Sequence, residues 1–75
     1  MITREEISVR LAEAIRETPM TETEIALQLG IKQPTVSQYI SGEAIPSLIT
    51  FANLCMIIDV EPADILGTRD TSYLK

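Results

Sequence analysis

Histidine is absent from the 75-residue chain, and cysteine occurs once, at Cys55. A single cysteine excludes an intramolecular disulfide, and without histidine a structural zinc site lacks its usual ligands, so we expect no metal and no cofactor. The sequence offers no nucleophile with an adjacent base and no glycine loop to cradle a phosphate, and it is too short to enclose a substrate. These absences argue against an enzyme, and we assign no catalytic residues.

Long apolar runs are absent as well, since no stretch approaches the ~20 residues that would span a bilayer. Residues 1–6 are acidic where a secretory signal would be basic and then apolar. We therefore expect a cytoplasmic protein without a membrane partner. The length lies near the lower limit for an independent globule, and 45% of the residues are hydrophobic. This composition predicts one folded domain with one core.

Positive charge is scarce, because 6 lysines and arginines face 11 acidic residues and leave a net charge of −5. Neutralisation of phosphates supplies much of the affinity of most DNA-binding proteins. The overall charge therefore opposes a nucleic-acid partner, and any such function must draw its affinity from elsewhere.

The first predicted helix begins after Thr3, which forms a capping box with Glu6. It should end near Glu17, because Pro19 disfavours helical geometry at the preceding residue and cannot donate a backbone hydrogen bond. One apolar face recurs at helical spacing along this segment, at Ile7, Leu11, Ala14 and Ile15. The pattern predicts an amphipathic helix packed on a core.

The second predicted helix has a capping box of Thr21 and Glu24 and a hydrophobic staple of Met20 and Ile25. It is about two turns long and ends at Gly30, the residue best suited to the left-handed conformation that closes a helix. We expect its inward face to consist of Ile25, Ala26 and Leu29, with Ala26 keeping the crossing with the next helix close.

Three more helices follow, and no segment alternates as a strand would. One has Pro34 in its first turn, an apolar edge of Val36, Tyr39 and Ile40, and a stop at Gly42. A fourth should begin near Pro46 and Ser47, end at Asp59, and bury Leu48, Phe51, Ala52, Leu54, Cys55 and Ile58. A short fifth should run from Pro62 to Gly67 and carry Ile65 and Leu66 inward. We thus predict an all-α fold of five helices over residues 1–67, with a polar tail at 68–75.

Two short helices joined by a tight turn form the unit that presents its second helix to DNA. Residues 21–42 resemble the helix-turn-helix of the Cro/CI, or XRE, family of phage and bacterial transcription regulators. The likeness extends over about residues 7–66 and consists of spaced apolar positions with Gly30, Gly42 and Pro46. It implies a lambda-repressor-like domain that binds double-stranded operator DNA, as a repressor or Cro-like regulator.

In that family the start and outer face of the third helix meet base edges. By position the resemblance implicates Gln33, Pro34, Ser37 and Gln38, together with Lys32 and Thr35. A glutamine amide can pair bidentately with adenine in the major groove. The full set of expected DNA contacts is Lys32, Gln33, Pro34, Thr35, Ser37, Gln38, Thr21, Thr23 and Ser41.

Several positions depart from the family pattern. Glu22 stands where a glutamine often meets phosphate, Ser41 replaces a frequent asparagine, and Glu43 replaces a frequent basic residue. Lys32 is the only basic residue among residues 21–47, against Glu22, Glu24 and Glu43, which leaves this unit at −2. We expect Glu22 and Glu24 to face away from DNA or to act as helix caps. Weak monomer binding follows, with useful affinity only from a homodimer or a partner.

Apolar residues stand at four positions where family members usually carry polar, charged or small side chains: Ile40, Ile49, Met56 and Ile57. An exposed patch there predicts an interface, most simply between two copies of the chain, with contacts from the fourth and fifth helices or from the tail at Tyr73 and Leu74. The alternative is a protein-interaction module, such as an antitoxin or anti-repressor, that keeps the scaffold but binds DNA weakly or not at all. Cys55 we interpret as a small core residue.

Overall fold

The computed structural model of the chain describes residues 1–68, and within that range it contains five α-helices and no strand. The all-α prediction is therefore confirmed. The helices are α1 (Arg4–Glu17), α2 (Glu22–Leu29), α3 (Gln33–Ser41), α4 (Leu48–Ile57) and α5 (Pro62–Leu66). None of these helices is long and apolar enough to cross a membrane. Of the predicted tail, residues 68–75, only Thr68 is described. Tyr73 and Leu74 therefore lie outside the described residues.

Side-chain caps begin the first helices as the sequence predicts. The Thr3 hydroxyl accepts a hydrogen bond from the Glu6 backbone N–H at 3.2 Å. At the start of α2 the capping box is complete, because the Thr21 hydroxyl accepts from the Glu24 N–H at 3.1 Å and the Glu24 carboxylate accepts from the Thr21 N–H at 3.2 Å. These bonds pair backbone donors that a helix start otherwise leaves without partners.

Helix ends also follow local chemistry. α1 stops before Pro19, and its C-cap Thr18 is extended, as the proline requires. α4 ends at Ile57 and is followed by Asp59 in the left-handed conformation, with φ at 57°. Aspartate tolerates this region better than most residues do, which confirms the predicted stop.

The core gathers side chains from all five helices. Its fully buried members include Leu11, Ile25, Val36, Leu54 and Ile65, and Cys55 is buried beside them as predicted. The prediction that Leu48 and Ala52 belong to the core is wrong, because Leu48 is 82% exposed and Ala52 is exposed as well. The inward face of α4 is already formed by Phe51, Leu54 and Cys55, together with the C-cap residue Ile58. Ala52 is turned about 100° from Phe51 around the helix, and Leu48 is the first helical residue.

Packing between helices places α3 in the middle of the fold. α1 packs against α3 and α5, while α2 packs against α3 and α4. α3 is thus supported by two neighbours on its inner side. This arrangement holds its orientation while leaving its outer side chains uncovered.

Candidate nucleic-acid interface

The turn between α2 and α3 is closed by backbone hydrogen bonds. Gly30 adopts the left-handed conformation, with φ at 70°, and donates to the carbonyls of Ala26 and Leu27. The Ile31 N–H also donates to the Ala26 carbonyl, at 3.0 Å, and the Ile31 side chain packs on the core. Lys32 is extended and stands at the N-cap of α3. The turn therefore fixes the angle at which α3 leaves α2.

α3 has a buried inner face and a polar outer face. Val36 and Tyr39 are buried, and burial raises the pKa of the Tyr39 hydroxyl. On the other side of α3, the predicted DNA contacts Gln33, Pro34, Gln38 and Ser41 are exposed and Ser37 is half-buried. Thr35 is half-buried on the side of Tyr39, which follows it by four residues. The helix therefore brings its predicted reading residues, except Thr35, to one accessible surface.

Glu22 crosses from α2 to α3 instead of facing away, which corrects the expectation for this residue. One of its carboxylate oxygens accepts from Gln33 Nε2 at 2.9 Å and from the Ser37 hydroxyl at 2.6 Å. Gln33 Nε2 also donates to the Ser37 hydroxyl, at 3.1 Å. The three side chains form a closed group at the junction of the two helices.

Gln38 and Ser41 differ in whether their side chains form hydrogen bonds within the described part of the protein. Within the described residues the Gln38 amide makes no hydrogen bond, so its donors and its acceptor are open to solvent. The Ser41 hydroxyl donates to the Gln38 backbone carbonyl at 3.2 Å and accepts from the Glu43 N–H at 3.4 Å. Ser41 therefore helps to close the C-terminal end of α3.

Thr21 and Thr23 lie at the N-terminal end of α2, and both are exposed. The Thr21 hydroxyl is engaged in the capping box, whereas the Thr23 hydroxyl has no hydrogen bond within residues 1–68. The start of a helix carries partial positive charge and free N–H groups, which suits an anion such as a phosphate.

Arg4 is a cation near α3 that the sequence analysis did not anticipate. Its Nη1 donates to the Gly42 carbonyl at 3.3 Å, so α1 brings a guanidinium to the C-terminal end of α3. The two residues are 38 positions apart. No local pattern could have indicated the contact, because it depends on how α1 packs against α3.

A family model described as helix-turn-helix matches residues 11–65. The chain belongs to the Cro/CI (XRE) helix-turn-helix family. It is a DNA-binding helix-turn-helix domain of the regulatory kind, and the family is not one of enzymes. No curated protein and no solved structure matches the chain.

The exposed apolar surface of this helix-turn-helix domain differs from the predicted patch. Ile49 and Met56 are 78% and 77% exposed, but Ile40 and Ile57 are half-buried against the core. The prediction of four exposed positions is therefore wrong for two of them, because both lie beside the buried stripes of α3 and α4. Leu48 and Ala52 join Ile49 and Met56 on the uncovered side of α4, and we call these four residues the α4 apolar face.

Cys55 leaves only 2% of its surface exposed, so its thiol is shielded from reagents. Burial, together with the nearby negative charge of Glu61, raises the pKa of its thiol and keeps it protonated. Among the described residues, no group of three or more histidine, cysteine or acidic side chains could hold a metal ion.

Proposed function

We propose that the protein is a sequence-specific transcriptional regulator of the repressor or Cro type, which reads the major groove with α3 as a homodimer in the cytoplasm. The observation that carries the proposal is the division of α3 into two faces. Val36 and Tyr39 anchor its inner side, while Gln38 extends an amide whose hydrogen-bonding groups have no partner within residues 1–68. A helix held in this way can enter a groove without losing packing.

Gln38 is the residue best suited to direct base reading. Its amide can donate to adenine N7 and accept from adenine N6 at the same time, which discriminates among base pairs by about 1–3 kcal/mol. Lys32 at the start of α3 can neutralise one phosphate, and Pro34, Thr35 and Thr23 are exposed or half-buried nearby. We propose these residues, with Gln33, Ser37, Thr21 and Ser41, as the DNA-contacting surface of a domain spanning residues 1–67.

Residues 21–47, here called the reading unit, carry a charge of −2, which limits the affinity of a single copy of the chain for DNA. Lys32 and Arg4 are the two cations at the ends of α3, and the carboxylates of residues 21–47 oppose them. Two neutralised phosphates give a slope of log K against log salt concentration of about −1.8 for one copy. Two copies double the slope, so a dimer gains affinity without new chemistry.

The α4 apolar face supports self-association. Leu48, Ile49 and Met56 each leave more than three quarters of their surface exposed, and Ala52 connects them along one side of the helix. Contiguous apolar surface of this kind marks interaction sites more often than isolated aliphatic residues do. A two-fold dimer would set its reading helices about 34 Å apart, one turn of DNA, on a palindromic operator.

The experiment that tests the proposal is selection from a pool of random duplexes, followed by titration of the enriched sequence at several salt concentrations. We expect a palindromic consensus and a negative salt slope. Gln38→Ala should relax selectivity at one base pair per half-site, whereas Gln28→Ala, an exposed glutamine of α2, should not. Equal selectivity in the wild type and both variants would refute the role of Gln38.

A protein-interaction module is the second candidate. The net charge of −5 and the α4 apolar face both favour a protein partner over a phosphate backbone. Under this alternative no duplex is enriched even at low salt, and the α4 apolar face binds another protein. The same selection experiment therefore separates the two candidates.

A further inference from the structure

The group formed by Glu22, Gln33 and Ser37, here called the acceptor cluster, directs its hydrogen-bond donors inward. A carboxylate can only accept hydrogen bonds, so the end of the Gln33 amide that faces Glu22 must be the NH2 group. The 2.9 Å contact from Gln33 Nε2 to Glu22 therefore has one chemically possible orientation. Glu22 fixes which end of the amide points away from it.

Both donor atoms of the acceptor cluster, Gln33 Nε2 and the Ser37 hydroxyl, have partners inside it. Gln33 Nε2 donates to Glu22 and to the Ser37 hydroxyl, and the Ser37 O–H donates to Glu22 at 2.6 Å. What remains is the Gln33 Oε1 atom, the second Glu22 oxygen and a lone pair on Ser37, and all three are acceptors.

We propose that the acceptor cluster makes Gln33 a reader of exocyclic amino groups, so that it selects cytosine N4 or adenine N6 through Oε1 instead of pairing bidentately with adenine. Glu22 is the positioning residue that imposes this selectivity. The inference rests on the proposed function, since it presumes that α3 lies in the major groove.

Base chemistry shows why this arrangement discriminates. In the major groove guanine presents only the N7 and O6 acceptors, and thymine presents the O4 acceptor beside a methyl group. Either base would place the lone pairs of its acceptor atoms against those of Gln33 Oε1, which is repulsive. Phosphate oxygens are acceptors too, so the negatively charged Glu22 cannot serve as a phosphate contact at this corner.

The test uses the full chain and a duplex taken from the selection experiment. At the base pair assigned to Gln33, the contacted adenine is replaced by purine, or the contacted cytosine by 2-pyrimidinone, which removes only the amino group. Glu22→Gln is compared with Glu43→Gln, which also removes one negative charge from the reading unit but has no bond to Gln33. Thermal melts of all variants establish that the fold is retained.

We expect removal of the amino group to weaken wild-type binding about five- to tenfold. Glu22→Gln should lose less than twofold, because a glutamine at this position lets the Gln33 amide turn over and donate. It should also accept guanine or thymine at this base pair more readily. Glu43→Gln should bind every duplex somewhat more tightly and retain the full discrimination.

Unchanged discrimination in Glu22→Gln would overturn the inference while leaving DNA binding intact. Binding by Glu22→Gln alone, with none by the wild type, would overturn it as well, because Glu22 would then block DNA and not select a base. If neither protein enriches any duplex, the proposed function fails, and the inference fails with it.

Discussion

Ile25 anchors α2 in the core, and replacing it by alanine tests how firmly the helix-turn-helix is held. The side chain is fully buried, whereas Leu27, two residues further along the same helix, is 76% exposed. Ile25→Ala removes three carbon atoms, which corresponds to about 2.4 kcal/mol of lost transfer free energy. The cavity left behind raises the expected loss to about 3–4 kcal/mol.

This loss is large for a chain of 75 residues, whose free energy of unfolding should be about 4–11 kcal/mol. The expected fall in Tm is about 12–30 °C, since 1 kcal/mol shifts a domain of this size by about 4–8 °C. Thermal and urea unfolding followed by circular dichroism measure both quantities. Ile25→Val should lose about 0.5–1.5 kcal/mol, and Leu27→Ala should change stability by less than about 0.5 kcal/mol. Similar losses for Ile25→Ala and Leu27→Ala would refute the packing described for α2.

Three further predictions concern the turn, the thiol and the α4 apolar face. Gly30→Ala should cost about 1–2 kcal/mol through its left-handed φ alone, because no atom lies within 4 Å of an added Cβ, and Gly30→Asn should cost less in the same unfolding assay. Because the pKa of the Cys55 thiol is raised in the folded chain, the unfolded chain loses this proton first as the pH rises. The free energy of unfolding should therefore fall above the ordinary thiol pKa, and this component should be missing in Cys55→Ala. Leu48→Lys and Met56→Lys should shift the sedimentation coefficient from dimer to monomer, whereas Val9→Lys on α1 should not; a monomeric wild type would contradict the proposed interface.

Helix boundaries could be predicted from the sequence because they depend on residues that are close together in the chain. The capping box of Thr21 and Glu24, the break at Pro19 and the stop at Gly30 act over three or four positions, and all three appear in the structure where the sequence predicts them. The family resemblance is confirmed for the same reason, since its motif is a spacing of such local signals.

Contacts between helices could not be predicted from the sequence in the same way. The role of Glu22 depends on the angle at which α3 leaves α2, and the contact of Arg4 with Gly42 depends on the packing of α1. Leu48 and Ala52 have the hydrophobicity of core residues, but the three buried residues of α4 and the adjoining Ile58 already complete its inward face. Periodicity identifies an apolar stripe without determining its edges.

The structure shows where the acidic side chains of the DNA-binding segment are directed. Glu24 is held in the capping box and Glu22 in the acceptor cluster, so two of the three carboxylates of the reading unit have partners within the protein. The cations Lys32 and Arg4 lie at opposite ends of α3. The net charge of −5 still repels DNA at long range, so we expect recognition to depend on close contacts along α3.

Contact between DNA and the outer face of α3 can be observed by NMR, in a titration of the labelled protein with its selected duplex. We expect amide and side-chain chemical shifts to change mainly at residues 32–38 and at the start of α2, with the Gln38 side-chain NH2 among the largest changes. Changes confined to the α4 apolar face, with α3 unaffected, would contradict this expectation.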